Sequence, residues 1–219
     1  CCPAMIQIIR RKHDRIALPG RRARILKRSF DLLFCSLLLP FLLPVLVLTA
    51  VAIRLESRGP IVFTQLRTGK GGKRFRMFKF RTMVENAEEL KKELQHLNEL
   101  TPPDFKMTED PRITRVGKFL RKTSLDELPQ ILNVLRGEMS LVGPRPTSFA
   151  ANTYSLEQTE RLEVKPGVTG LWQVSGRSDV DFEERVQLDT EYIQRQSLWF
   201  DLKIILMTVG AVLKQRGAC

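Results

Sequence analysis

Leu32–Ile53 is an unbroken run of 22 uncharged residues, LLFCSLLLPFLLPVLVLTAVAI. A helix of roughly 20 apolar residues matches the thickness of bilayer hydrocarbon, and runs of this length are uncommon in soluble domains. No small-residue cleavage site marks it as a removable signal. Pro40 and Pro44 lie inside it. Each removes a helix hydrogen bond and clashes one turn back, so the sequence predicts a bend at 40–44.

Charge decides how such a segment meets a membrane. Residues 1–28 carry nine Lys/Arg and one acid, a net of +8, and residues 54–82 carry nine against Glu56, again +8. Basic flanks stay on the cytoplasmic side, and a straight crossing would put one of these blocks on the wrong side. A bent, re-entrant helix that enters and leaves by one face satisfies both. Residues 83–219 hold 18 basic and 21 acidic groups, so the overall +12 is an anchor pattern rather than a uniformly basic surface.

The remaining composition excludes more than it specifies. Two histidines, His13 and His96, leave little room for Ser-His-Asp hydrolysis or HExxH metal chemistry. Cys1, Cys2, Cys35 and Cys219 form no CxxC, which argues against a disulfide framework or zinc site. An enzyme of this composition works with carboxylates, cations and a metal.

After the anchor, Ile61–Leu66 and Arg74–Phe80 alternate apolar and polar residues around Arg67-Thr-Gly-Lys-Gly-Gly-Lys73, the pattern of a β-hairpin. The loop lacks the GxxxxGK[ST] form of a nucleotide loop and reads as a basic turn near lipid head groups. Helical spacing covers Asn86–Leu100, Ile131–Leu135 before Gly137, Glu157–Val164 and Trp199–Lys214, with a break at Thr101–Asp104. The last helix suits either the membrane interface or the core. The fold expected is α+β and mostly helical, with a re-entrant membrane helix, a small hairpin and amphipathic interfacial helices. It divides into a basic arm at 1–28, the membrane helix at 29–54 and a membrane-associated catalytic domain at 55–219 that works as one unit with the anchor.

The densest chemistry lies in Asp110–Pro146. Ser124-Leu-Asp-Glu127 has the S-x-x-E form of a capping box, which places Asp126 and Glu127 at a helix start. Pro129 allows the helix to begin there instead. Neighbouring carboxylates do not share a helical face, so one can attack as a nucleophile while the other holds Mg²⁺. Val142-Gly-Pro-Arg-Pro146 fixes φ on either side of Arg145 and presets its guanidinium for a phosphate. Cations around a carboxylate nucleophile suit phosphoryl transfer.

These residues resemble the bacterial sugar transferase family, the monotopic phosphoglycosyl transferases. The resemblance runs through Lys27-Arg-Ser-Phe-Asp31, Lys79-Phe-Arg-Thr-Met83, Asp110-Pro-Arg112, Ser124-Leu-Asp-Glu-Leu-Pro129 and Met139-Ser-Leu-Val-Gly-Pro-Arg-Pro146. It continues in Lys165-Pro-Gly-Val-Thr-Gly170 and Trp172-Gln-Val-Ser-Gly-Arg177. It implies transfer of a hexose 1-phosphate, glucose or galactose, from a UDP-sugar to undecaprenyl phosphate with release of UMP, the first membrane step of exopolysaccharide, O-antigen or glycan assembly. By the same resemblance Asp126 is the nucleophile that carries the phosphosugar, Glu127 ligates Mg²⁺ and Arg145 holds a phosphate. Lys79, Arg81, Arg112 and Asp189 are further substrate-binding candidates. The implied setting is the cytoplasmic face of the bacterial plasma membrane, without nucleic acid and with a homodimer left open. One departure is Leu43 before Pro44, where family members often carry serine.

Two rival readings remain: a non-enzymatic basic protein of membrane surfaces or nucleic acid, and a glycosyl transferase using the same acceptor. The first explains the charge but neither Ser124–Pro129 nor the Pro-Arg-Pro loop. Release of UMP, UDP or neither distinguishes the three.

Overall fold

The computed structural model describes residues 20–97, 107, 110–150, 153, 155, 158–175 and 182–213. The apolar run lies within helix α1, Arg21–Glu56, 36 residues that continue helical through Pro40 and Pro44. Asp31, Cys35, Thr49 and Ile53 are buried, and Leu39, Leu42 and Leu46 are partly buried between them. Steps of three or four residues make these one continuous seam along the helix. Opposite it, Leu33, Leu37, Phe41, Leu48 and Leu55 are exposed, Phe41 by 78% and Leu55 by 83%. An outer face this apolar calls for lipid rather than water. Both prolines are exposed, so their missing N–H groups break no contact with the packed seam.

Both ends of α1 are fastened to the rest of the chain. At its start, Lys27 Nζ lies 2.9 Å from Asp31 and from Asp201, and Ser140 Oγ donates to Asp31 at 2.7 Å. At its end, Glu56 accepts the Val116 amide at 3.0 Å, and Arg81 Nη2 donates to the Ser57 carbonyl at 2.8 Å.

Strands β1, Val62–Thr68, and β2, Arg74–Phe80, pair antiparallel from Val62↔Phe80 to Thr68↔Arg74. The first strand runs two residues past the Leu66 expected from alternation. Helix α2, Ala87–Glu93, gives way to a 3₁₀ turn at Leu94–Leu97, shorter than the Asn86–Leu100 pattern. The rest of that pattern and the Thr101–Asp104 break lie outside the described residues. Helix α3, Arg115–Thr123, is capped by Thr114, whose hydroxyl accepts the Gly117 amide at 2.9 Å.

Ser124 corrects the capping-box expectation. Its side chain caps nothing; it ends α3 in the left-handed region at φ 57°, and Leu125–Gln130 follows as a 3₁₀ run. The α-helix itself, α4, begins only at Ile131 and stops at Arg136 because Gly137 takes φ 83°, which costs glycine little. Asp126 and Glu127 therefore stand, as expected, at a helix start, but in the first turn of a 3₁₀ run between two α-helices rather than behind a serine cap. A serine at positive φ is strained by about 1 kcal/mol or more, and such strain gathers beside functional groups.

Strands β3, Ser140–Val142, and β4, Gly167–Thr169, form a short parallel pair. The helical pattern at Glu157–Val164 appears as a 3₁₀ run at Gln158–Leu162. Helices α5, Leu171–Ser175, α6, Phe182–Arg195, and α7, Leu198–Leu213, complete the described fold. Helix α7 has one side in the core and one outside it: Ile204 is fully buried, while Trp199, Leu206, Val209 and Leu213 are exposed. Three apolar clusters form the core, and two of them contain residues of α1.

Candidate active site

Asp126 and Glu127 face strand β2, where Lys79 stands between them. Its Nζ lies 2.8 Å from Glu127 Oε1 and 3.9 Å from Asp126 Oδ2. Arg145 reaches Glu127 from the other side, with Nη2 2.6 Å from Oε1 and Nη1 3.3 Å from Oε2. Four sequence candidates thus meet in one cluster, although Lys79 is 48 residues from Glu127 along the chain.

The environments of the two acids push them apart. Burial raises the Asp126 carboxyl above its ordinary range; Glu127 reinforces this, while Lys79, Arg121 and Arg145 pull against it. Burial also acts upward on Glu127, but Arg145 and Lys79 outweigh it and hold Glu127 well below the usual carboxylate range. Glu127 is the more readily ionised member of the pair, and Asp126 carries the more basic oxygens.

Positioning comes from the backbone around them. β2 uses one edge to pair with β1, and Asn133 of α4 covers the other: its Oδ1 accepts the Phe78 amide at 3.0 Å and its Nδ2 donates to the Arg76 carbonyl at 2.7 Å. The side-chain amide thereby replaces a third strand and sets Lys79 in register with the turn that carries the acids. Arg145 depends on the β3–β4 pair, where Gly143 N donates to Thr169 O and Gly167 N to Pro144 O, both at 2.9 Å. A Cβ on Gly167 would sit on the Gly143 amide, so no larger residue fits there.

The other candidates are placed elsewhere. Arg112 is buried in a two-point pair with Asp110, with Nη2 2.6 Å and Nε 2.8 Å from its oxygens. Arg81 anchors the end of α1 through Ser57, and its Nε and Nη1 are buried without a partner among the described residues. Asp189 pairs with Arg161 at 2.6 Å, and Arg161 also donates to the Arg145 carbonyl at 3.0 Å. Asp189 therefore acts on the Arg145 loop through Arg161. Burial pushes its carboxyl up to about 7 against the pull of Arg161.

A divalent cation can be judged from the donor set. Mg²⁺ is commonly held by one or two carboxylates together with substrate phosphates and water. Asp126 and Glu127 supply that number, and among the described residues no group of three potential ligands forms a metal cage of protein alone. Among the described residues Glu127 Oε2 carries only the 3.3 Å contact, and Asp126 nothing closer than Lys79 at 3.9 Å, so a cation could draw on oxygens of both acids.

Residues 22–215 match the family described as bacterial sugar transferase. The chain belongs to this family. It is 50% identical over 189 residues to the galactosyl transferase CpsE of Streptococcus agalactiae, covering 85% of this chain and 40% of CpsE. It is 44% identical over 197 residues to the Escherichia coli UDP-glucose:undecaprenyl-phosphate glucose-1-phosphate transferase, again 85% and 40%. The chain thus spans about two fifths of the length of these relatives. The exopolysaccharide production protein ExoY of Rhizobium meliloti is matched at 42% over 197 residues, 88% of this chain and 87% of ExoY.

As a bacterial sugar transferase the chain holds three site residues that the sequence did not single out. Arg121 was visible only as one of several cations before the acids; its Nε donates to Thr82 Oγ1 at 3.0 Å and its charge acts on Asp126. Asn133 left a usable signal, a polar residue among Ile131, Val134 and Leu135 in a short helix. Arg161 left none.

Proposed function

We propose that this bacterial sugar transferase moves glucose or galactose 1-phosphate from a UDP-sugar to undecaprenyl phosphate and releases UMP. The observation that carries the reading is the Asp126–Lys79–Glu127–Arg145 cluster, in which an acid of raised basicity faces two cations suited to phosphate. The printed names of CpsE and of the Escherichia coli protein support galactose or glucose as the sugar.

An Asp126 oxygen attacks the sugar-bearing phosphorus of the donor. The bond from that phosphorus to the bridging oxygen breaks, and UMP leaves with the electron pair. An oxygen of undecaprenyl phosphate then attacks the same phosphorus, and the bond to Asp126 breaks to restore the carboxylate. Lys79 and Arg145 hold the charge of the donor diphosphate. Glu127, with Oε2 open, would hold Mg²⁺, which supplies charge neutralisation of the diphosphate when bound.

The setting proposed is monotopic on the cytoplasmic face, with residues 29–54 as a re-entrant element and 55–219 as the catalytic unit. Its support is the docking of both ends of α1 on one folded body, since a helix so fastened does not cross a bilayer. Incubating the chain in micelles with undecaprenyl phosphate, Mg²⁺ and single UDP-hexoses tests the activity. UMP is the expected product, and Asp126→Asn abolishes it while the protein folds as before. UDP as the product, or turnover retained by Asp126→Asn, refutes the scheme.

A further inference from the structure

A cleft of about 330 Å³ opens at the start of α1, and none of the Asp126–Glu127 cluster lines it. Its cations come from three separate parts of the chain: Arg24, Lys27 and Arg28 from α1, Lys70 from the hairpin turn, and Lys165 from the approach to β4. Asp31 and Glu163 are the acids on its wall, and Asp31 is already engaged by Lys27 and Ser140. Arg28 donates to the Val134 and Leu135 carbonyls, which leaves its charge without a carboxylate. Arg24, Lys70 and Lys165 have no side-chain partner among the described residues.

The cations converge rather than scatter. A Cβ built on Gly137 would lie 3.4 Å from both Arg28 Nη2 and Lys165 Nζ, so the two side-chain ends share one wall. Burial lowers the pKa of Lys165, and Arg28 and Lys70 lower it further against the pull of Asp31, so like charges crowd here beyond what the neighbouring carboxylate offsets. An ordinary basic flank would spread its charges into water. The position matters as well. Ile25 and Leu26, each 57% exposed, flank Arg24 and Lys27 on α1, and exposed Trp199 follows three residues after the cleft-lining Gln196. Apolar and aromatic groups beside cations define head-group depth. Along the 3₁₀ run and α4, the Arg28 contacts lie roughly 14 Å from the acids, too far for one phosphate to serve both.

We propose that this cleft binds the head-group phosphate of an anionic bilayer phospholipid, separately from both transfer substrates. The phosphate sits among Arg24, Arg28, Lys70 and Lys165, and the acyl chains run along the exposed apolar faces of α1 and α7. The hairpin turn, a basic loop that contributes nothing to the site described above, supplies Lys70 to lipid binding here.

Native mass spectrometry of the detergent-solubilised chain with added phosphatidylglycerol, phosphatidylcholine or inorganic phosphate tests this without turnover, so it is independent of the proposed transfer activity. Phosphatidylglycerol is expected to bind in preference to phosphatidylcholine. The combined Arg24→Gln, Lys70→Gln, Lys165→Gln variant is expected to lose about a hundredfold in that affinity, at roughly one interfacial attraction per cation. If the triple variant loses its circular dichroism signal, Lys70→Gln alone, on the hairpin turn, is read instead, with a loss of about fivefold expected. Equal binding of the two lipids, or unchanged affinity in the folded variant, overturns the proposal. Displacement of the lipid by inorganic phosphate at matching concentration also overturns it, because the site would then serve a soluble anion.

Discussion

Replacing Asn133 by aspartate probes whether a residue that touches no substrate sets the geometry of the acid–cation cluster. The side chain is fully buried, with its amide clamped to the free edge of β2. Asn133→Asp preserves shape and keeps an acceptor for the Phe78 amide. It also turns the donor facing the Arg76 carbonyl and Glu138 into an acceptor, so two attractive contacts become repulsive. Each buried polar group left unpaired costs about 1–3 kcal/mol, giving about 2–6 kcal/mol for the pair. For a chain of this size that lowers Tm by roughly 4–24 °C. Lys79 follows Phe78 directly, so loosening the clamp displaces its ammonium from Asp126 and Glu127. A shift of about 1 Å in such a group can cost on the order of a hundredfold in rate. The assay is UMP release with kcat and KM separated, alongside thermal melting in the same micelles. Both Tm and kcat are expected to fall, with KM for the UDP-sugar changing much less. A lowered Tm with unchanged kcat at a temperature where the variant is folded would refute the positioning role.

Lys79→Met removes a cation that pulls the raised Asp126 carboxyl down; the acidic limb of the kcat profile is therefore expected to move to higher pH, and an unmoved limb means Lys79 does not tune the nucleophile. Asp189 is raised to about 7 in the folded chain, so its contribution to stability is full below its unfolded value near 4 and is lost as pH rises through about 7. Melting from pH 5 to 8 is expected to show that loss in the parent and a flatter profile in Asp189→Asn; equal slopes dismiss the assignment. Gly167→Ala places a methyl on the Gly143 amide, with an expected loss of about 1–3 kcal/mol in denaturant melts and of most UMP release through the displaced Arg145 loop.

The parts of this fold legible in the sequence are those with a strong periodic signal. The uncharged run placed α1, alternation placed the hairpin, and Gly137 marked the end of α4. Helix α3 escaped notice because Arg-Val-Gly-Lys-Phe-Leu-Arg-Lys-Thr is short, four of its nine residues are basic, and a glycine lies in its interior. β3 and β4 are three residues each, too short for alternation to appear, and pair parallel across a long connection. In the site, Asp126, Glu127 and Arg145 were readable from local motifs, whereas the place of Lys79 between the acids depends on the hairpin docking against α4. The capping-box reading failed because Ser124 closes the preceding helix instead of opening the next, a choice that the S-x-x-E spacing does not distinguish.

The connections between α1 and the site tie the acid–cation cluster to the long apolar helix. Arg28, near the start of α1, grips the Val134 and Leu135 carbonyls of α4, and Glu56, at its end, accepts the Val116 amide near the start of α3. The segment from Arg115 to Arg136 is thus a brace that runs antiparallel to α1 and is tied to it at both ends, with Asp126 and Glu127 at its centre. The outer face of α1 is apolar along its length, so in the membrane setting proposed above lipid would fix the depth of that helix, and the brace would fix the acids relative to it. In the transfer proposed above, an acceptor anchored in a bilayer would present its phosphate at one depth, and a nucleophile held at a matching depth would remove one dimension of the search before the acceptor arrives. On that proposal the seam along α1 places the reaction, and the chemistry is left to Asp126, Glu127, Lys79 and Arg145.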